Sequence, residues 1–149
     1  RLGALGAGFD CASACEARLA VASGVPPHRI VFANPCKRES DVQVLHELGI
    51  DLTTFDSFEE FEKLARHRPS TAPARTLRPL LRLRVDDPSA RMSFGAKYGA
   101  SLDEARALLL RIRDTKPAAL QCPTLESSVP PPPAAVVAGV SFHVGSGAG

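Results

Sequence analysis

Short apolar runs recur along the chain at residues 8–12, 29–33, 51–55, 80–85 and 136–144, with helix-like stretches between them. The runs are rich in Val, Ile, Leu, Phe and Thr, and most lack the strict alternation of a half-exposed strand. They read as strands buried on both faces, the habit of parallel sheets. Helix starts are marked by Ser13 with Glu16, Ser40 with Gln43, Ser57 with Glu60, and Ser101 with Glu104. Each pair has the three-residue spacing of a capping box, in which the two side chains satisfy unpaired amides of the first turn. Downstream, Phe58, Phe61, Leu64 and Ala65 share one helical face, as do Leu102, Ala105, Leu108, Leu109 and Ile112. Gly24 and Gly49 stand where helices should stop.

Strand-then-helix repetition predicts an α/β fold with parallel strands joined by right-handed crossovers. A doubly wound sheet and a partial (β/α)8 TIM barrel both fit. A full barrel takes about 250 residues, so the five strands of this 149-residue chain would form a little over half of one. Length allows one domain, residues 1–149, interrupted twice. Residues 68–79 carry three prolines and no apolar period, and residues 116–133 include the run Pro130 to Pro133, which reads as a proline-rich surface insertion.

Composition removes several function classes. A formal net charge of +2 gives no electrostatic case for nucleic acid or a membrane surface. No apolar run reaches the roughly 20 residues of a membrane helix, and no signal-peptide pattern opens the chain, so the expected location is the cytoplasm. Cys11, Cys15, Cys36 and Cys122 form no CxxC pair and lack neighbouring ligands for zinc, so no metal is expected and the thiols read as reduced and structural. The start at Arg1 and the stop within a glycine-rich run suggest an internal fragment of a longer protein.

Chemistry in parallel α/β folds gathers at the carboxyl ends of strands. Those positions hold Asp10, Asn34 with Cys36, Asp56, Asp86 with Asp87, and His143. In Leu81-Arg82-Leu83-Arg84 the arginines point to one side and the leucines to the other. Buried guanidinium is costly unless paired. Either this strand lies at an exposed edge, or an arginine reaches into a polar barrel mouth and meets a carboxylate. The closing run Ser141-Phe142-His143-Val144-Gly145-Ser146-Gly147 ends a strand in histidine and small residues whose amides and hydroxyl suit a phosphate.

The blocks Gly8-Phe9-Asp10-Cys11-Ala12-Ser13, Phe32-Ala33-Asn34-Pro35-Cys36-Lys37, Thr54-Phe55-Asp56-Ser57 and Ser141 to Gly147 occur in this order in eukaryotic ornithine decarboxylases, and the chain resembles that family over nearly its whole length. The resemblance implies a barrel of the alanine-racemase type, pyridoxal 5'-phosphate as cofactor, a homodimer, and conversion of the substrate ornithine to putrescine. It further implies that His143 stacks on the cofactor ring, Ser146 binds its phosphate with Gly147 in the same turn, and Asp10 lies near the cofactor lysine. Arg82 is implied to line the cofactor pocket and Lys97 to serve the dimer interface. Glu16 matches a family acid, but its capping box is a sufficient explanation.

The family's cofactor lysine would precede Arg1. The acid facing the pyridine nitrogen, a second glycine loop and the partner subunit's cysteine and aspartate would follow Gly149. The isolated chain is therefore expected to be inactive. A family arginine aligns with Ser93, with Arg91 nearby as a replacement. An antizyme-inhibitor-like regulator is the alternative, along with arginine, diaminopimelate or lysine decarboxylases. Asp10, His143 and Ser146 favour the enzyme. Residues 39–62 hold eight acidic residues and no Lys or Arg, which argues against a basic antizyme-binding face.

Overall fold

The computed structural model describes residues 1–67, 76–85, 98–115 and 135–144. Five strands, β1 (Phe9–Cys11), β2 (Ile30–Phe32), β3 (Leu52–Phe55), β4 (Arg78–Leu83) and β5 (Gly139–Phe142), form one parallel sheet in the order of the chain. Four helices, α1 (Ala14–Ala22), α2 (Glu39–Leu48), α3 (Phe58–Arg66) and α4 (Leu102–Asp114), each follow a strand. A doubly wound sheet reverses its strand order at a switch point, and none occurs among the described residues. Crossovers of such βα units are right-handed as a rule, so with each described strand added on the same side the described helices fall on one face. The result is the wall of a (β/α)8-type barrel, four βα units and a fifth strand among the described residues.

The register assigns the two faces. Cys11, Ile30, Phe32, Phe55 and Leu81 point to the helices and are buried. Two apolar clusters fill that side. One joins β1 and β2 to α1 and α2 through Ala17, Ala20 and Leu45, and the other joins β3 and β4 to α3 and α4 through Phe61, Leu64 and Leu108. The opposite face carries Asp10, Val31, Leu52, Thr54, Leu80, Arg82 and Ser141, which alternate with the buried set.

Capping agrees with expectation at three of the four helices. Ser13 and Ser101 accept from the amides of Glu16 and Glu104, whose carboxylates accept in return, so both boxes close. Those bonds from Ser101 hold the Glu104 carboxyl below its ordinary pKa. Ser57 also caps α3, but the Glu60 carboxylate turns away to Lys37. Ser40 is no cap: α2 begins at Glu39, behind Arg38, whose amide donates to Asp41 at 3.2 Å. Gly49 closes α2 at φ 71° and Gly24 follows the end of α1 at φ 85°.

Further differences have local causes. β4 starts at Arg78, so Pro79 lies inside a central strand and not in the expected loop. It has no amide to donate, but its carbonyl accepts from Ala138 at 2.9 Å and its ring is buried. On α4, Ala105 and Leu108 are buried and Ile112 packs on their cluster, whereas Leu102 is 76% exposed and Leu109 is exposed too. Cys11 is a buried thiol, with its pKa raised by burial and by Glu16 and Asp10, but Cys15 and Cys36 are exposed and pack no core. No metal-binding cluster occurs among the described residues. No described helix is long and apolar enough to cross a membrane. The proline-rich stretch 116–133, and Cys122 within it, lie outside the described residues.

Gly99 holds the chain against the end of β4. Its φ is +102°, and a Cβ there would stand 2.7 Å from the Arg84 nitrogen and 2.8 Å from the Leu83 carbonyl carbon. Bonds between Ala100 and the backbone of Arg82 and Arg84 leave no room to retreat. Gly99→Ala is expected to cost about 2–4 kcal/mol, from backbone strain plus overpacking. Urea unfolding of the intact protein checks this, and a loss under about 1 kcal/mol would mean that the segment relaxes freely.

Candidate active site

The face opposite the helices bends around a cavity of about 160 Å³. Asp10 of β1, Thr54 of β3, Arg82 of β4 and Ser141 of β5 line it, joined by His143 just beyond β5. Apolar wall comes from Val31, Leu80 and Phe142, with Ala33 just past β2. Asp10, Arg82 and His143, three candidates drawn from separate parts of the sequence, thus face one space. A strand puts alternate residues on one face, and five parallel strands in register collect those residues into a single surface.

Arg82 is not on an edge strand, since β4 runs between β3 and β5. The carboxylate expected as its partner is replaced, among the described residues, by Tyr98, whose ring centroid lies 5.2 Å from the guanidinium carbon. That contact favours a flat cation over a point charge. Arg84, just past the strand, turns instead to Glu104 at 3.1 Å on the surface. Tyr98 did not emerge from the sequence as a site residue, and no spacing rule links it to Arg82. Ser146, Gly147, Lys97, Asp86, Asp87, Arg91 and Ser93 lie outside the described residues.

Other strand-end polar residues serve the fold. The Asn34 side chain accepts from the Cys36 amide at 3.1 Å, an Asx turn. Asp56 accepts from the Gly99 amide at 2.9 Å. Glu16 closes its capping box and accepts from the Ala12 amide as well, at 2.6 Å. Several acidic residues of 39–62 pair with cations outside that stretch: Glu47 with Arg18, Glu62 with Arg66 and Asp51 with Arg78.

Beneath the cavity wall lies an ion network absent from the sequence reading. Lys37 is 3% exposed. Its ammonium meets the Glu60 carboxylate at 3.0 Å and donates to the carbonyls of Asn34 at 3.0 Å and Thr54 at 2.6 Å. Lys63 reaches the other Glu60 oxygen at 2.5 Å and donates to the Lys37 carbonyl. Burial lowers the Lys37 pKa, and Glu60 opposes the shift. A buried lysine of depressed pKa has the chemistry of an imine-forming residue, but this one is consumed by three acceptors. The cue available in sequence was a lysine directly after an apolar strand and a Pro-Cys turn.

Residues 1–120 match the pyridoxal-binding domain of the pyridoxal-dependent decarboxylases. The chain belongs to this family. Over 146 residues it is 40% identical to the chloroplastic ornithine decarboxylase of Nicotiana glutinosa and 38% identical to the ornithine decarboxylase of Rattus norvegicus, covering 98% of this chain in both cases. It spans 28% and 26% of those two proteins. Among solved structures, the arginine decarboxylase of Paramecium bursaria Chlorella virus superposes with a TM-score of 0.76 at 34% identity, covering 98% of this chain and 33% of that one. The lysine decarboxylase of Selenomonas ruminantium does so at 0.70 and 28%, covering 99% and 32%.

The cofactor of pyridoxal-dependent decarboxylases is pyridoxal phosphate, and the cavity fits it on its own chemistry. An aromatic, anionic ligand calls for a flat group, a cation and hydroxyl donors. His143 supplies the first and Arg82 the second. Thr54 and Ser141 supply buried hydroxyls that have no partner among the described residues.

Proposed function

We propose that the intact protein decarboxylates ornithine to putrescine, and that this chain forms the cofactor-facing wall of its barrel. The observation that carries the reading is the convergence of Asp10, Arg82 and His143 on one cavity. When bound, pyridoxal phosphate supplies an electron sink for the charge left on the α-carbon as CO2 departs. In this reading His143 offers the imidazole face that orients the cofactor ring and keeps water from it. Ser146 and Gly147, in the same closing run of the sequence, are the residues assigned to the phosphate in this reading. Arg82, steadied by Tyr98, presents fixed positive charge, and Asp10 holds a carboxylate beside the reacting amine. Fixed charges in a water-poor site need little reorganisation during reaction, which is where such residues gain their effect.

Identities of 40% and 38% to the ornithine decarboxylases of Nicotiana glutinosa and Rattus norvegicus support ornithine as substrate. The reading includes a homodimer for the intact protein and no turnover by the 149-residue chain alone, since the described lysines Lys37 and Lys63 are both committed to Glu60 and neither lines the cavity. The test is CO2 release by intact protein loaded with cofactor, from ornithine, arginine and lysine in parallel. Ornithine should be preferred by roughly tenfold or more in kcat/KM, a difference of about 1.4 kcal/mol in transition-state binding. Preference for arginine or lysine would reassign the substrate. A loaded protein inert to all three would hand the case to the antizyme-inhibitor-like regulator.

A further inference from the structure

Two hydroxyls on the cavity wall stand out because their neighbours are satisfied. Thr53 and Thr54 are adjacent on β3 and both are buried. Thr53 points to the helix side and donates to the Phe32 carbonyl at 2.9 Å. Thr54 points the other way, lines the cavity and is 3% exposed, and its hydroxyl has no partner among the described residues. On β5, Ser141 lines the same cavity with the same deficit. The strands carrying the two hydroxyls flank β4, where Arg82 pairs in register with Ser141. The backbone of Thr54 is also pinned, through its carbonyl, by the buried Lys37 ammonium. An unpaired buried hydroxyl is costly, and one held rigidly in that condition awaits a ligand.

We propose that Thr54 and Ser141 are ligand-binding residues which, with Arg82 between them, hold an anionic oxygen in the cavity. Hydroxyl donors beside a guanidinium select an oxygen that carries negative charge. Two sources share that chemistry, an oxygen of the pyridoxal phosphate and the carboxylate of the amino-acid substrate. The inference rests on the decarboxylase reading above, and its test separates the two.

Intact protein carrying Thr54→Val, Ser141→Ala, both together, or Thr54→Ser is compared with wild type in three measurements. These are melting of the cofactor-free protein, titration of that protein with pyridoxal phosphate, and the KM for ornithine of the loaded enzyme. Thr54→Val should melt at or above the wild-type temperature without cofactor, because it removes a group that has no protein partner. The double variant should lose roughly tenfold or more in one binding constant, the loss expected for hydrogen bonds to a charged group, and Thr54→Ser should keep most of it. A loss in cofactor affinity assigns the oxygen to the cofactor, and a loss confined to KM assigns it to the substrate. Both constants staying within about twofold of wild type, or a lower melting temperature for cofactor-free Thr54→Val, overturns the proposal. If wild type binds the cofactor but releases no CO2, the decarboxylase reading falls while the cofactor titration still decides the hydroxyl pair. Failure of wild type to take up the cofactor overturns both.

Discussion

Glu60→Ala in the intact protein is expected to lose about 3–5 kcal/mol of unfolding free energy, the cost of stranding buried charge. Among the described residues, Glu60 is the one anion between two ammonium groups, Lys37 at 3.0 Å and Lys63 at 2.5 Å. Lys63 can turn toward water, but Lys37 has a fully buried side chain and only the carbonyls of Asn34 and Thr54 in its place. Lys37→Met should cost less, because Glu60 would keep Lys63. The variant's pH dependence supplies a second check. Lys37 already has a pKa below the ordinary lysine value through burial, and losing Glu60 removes what opposes that shift. The unfolded chain then binds more protons than the folded one, so the stability of Glu60→Ala should climb as pH rises from the folded-state pKa toward the ordinary lysine value. A small deficit that ignores pH would show that the three groups are not a working network.

Arg82→Lys should weaken pyridoxal phosphate binding by the intact protein by roughly 10- to 100-fold, nearly as much as Arg82→Met, the range for a charge-assisted hydrogen bond in a dry site. Charge alone is kept by lysine. What is lost is the flat fork and its stacking on the Tyr98 ring at 5.2 Å. Fluorescence titration of cofactor-free protein measures the effect. Wild-type affinity in Arg82→Lys would mean that the guanidinium's shape is irrelevant and that Tyr98 serves only packing.

How much of this was readable in the sequence depended on the reach of each interaction. Three helix starts were visible because a Ser and a Glu three residues apart interact within one turn. The start of α2 was not, because Lys37 is drawn to Glu60 on another helix, which fixes the chain before Ser40. Pro79 hid the beginning of β4, since proline argues against a central strand wherever its missing amide would be needed. The helical face on α4 was drawn too wide. Ala105, Leu108 and Ile112 mark the stripe that packs, and Leu102 sits on the exposed first turn. Asp10, Arg82 and His143 were recognisable from local motifs, but Tyr98, Thr54 and Ser141 gain meaning only from the space they share or adjoin. The repeated pattern of apolar runs is common to a doubly wound sheet and a barrel, so only the family resemblance pointed to the barrel, and the strand order agrees with it.

The chain-order arrangement of strands bears on how the protein is made. Each described strand after β1 pairs with the described strand synthesised just before it, so a nascent chain can dock each of these βα units as it leaves the ribosome without waiting for distant partners. At each stage the newest strand is the open margin. On β5, Val140 and Phe142 lie on the helix-side face in register with Leu81 and Leu83, and both are exposed, Phe142 by 64%. Such a margin invites self-association until something covers it.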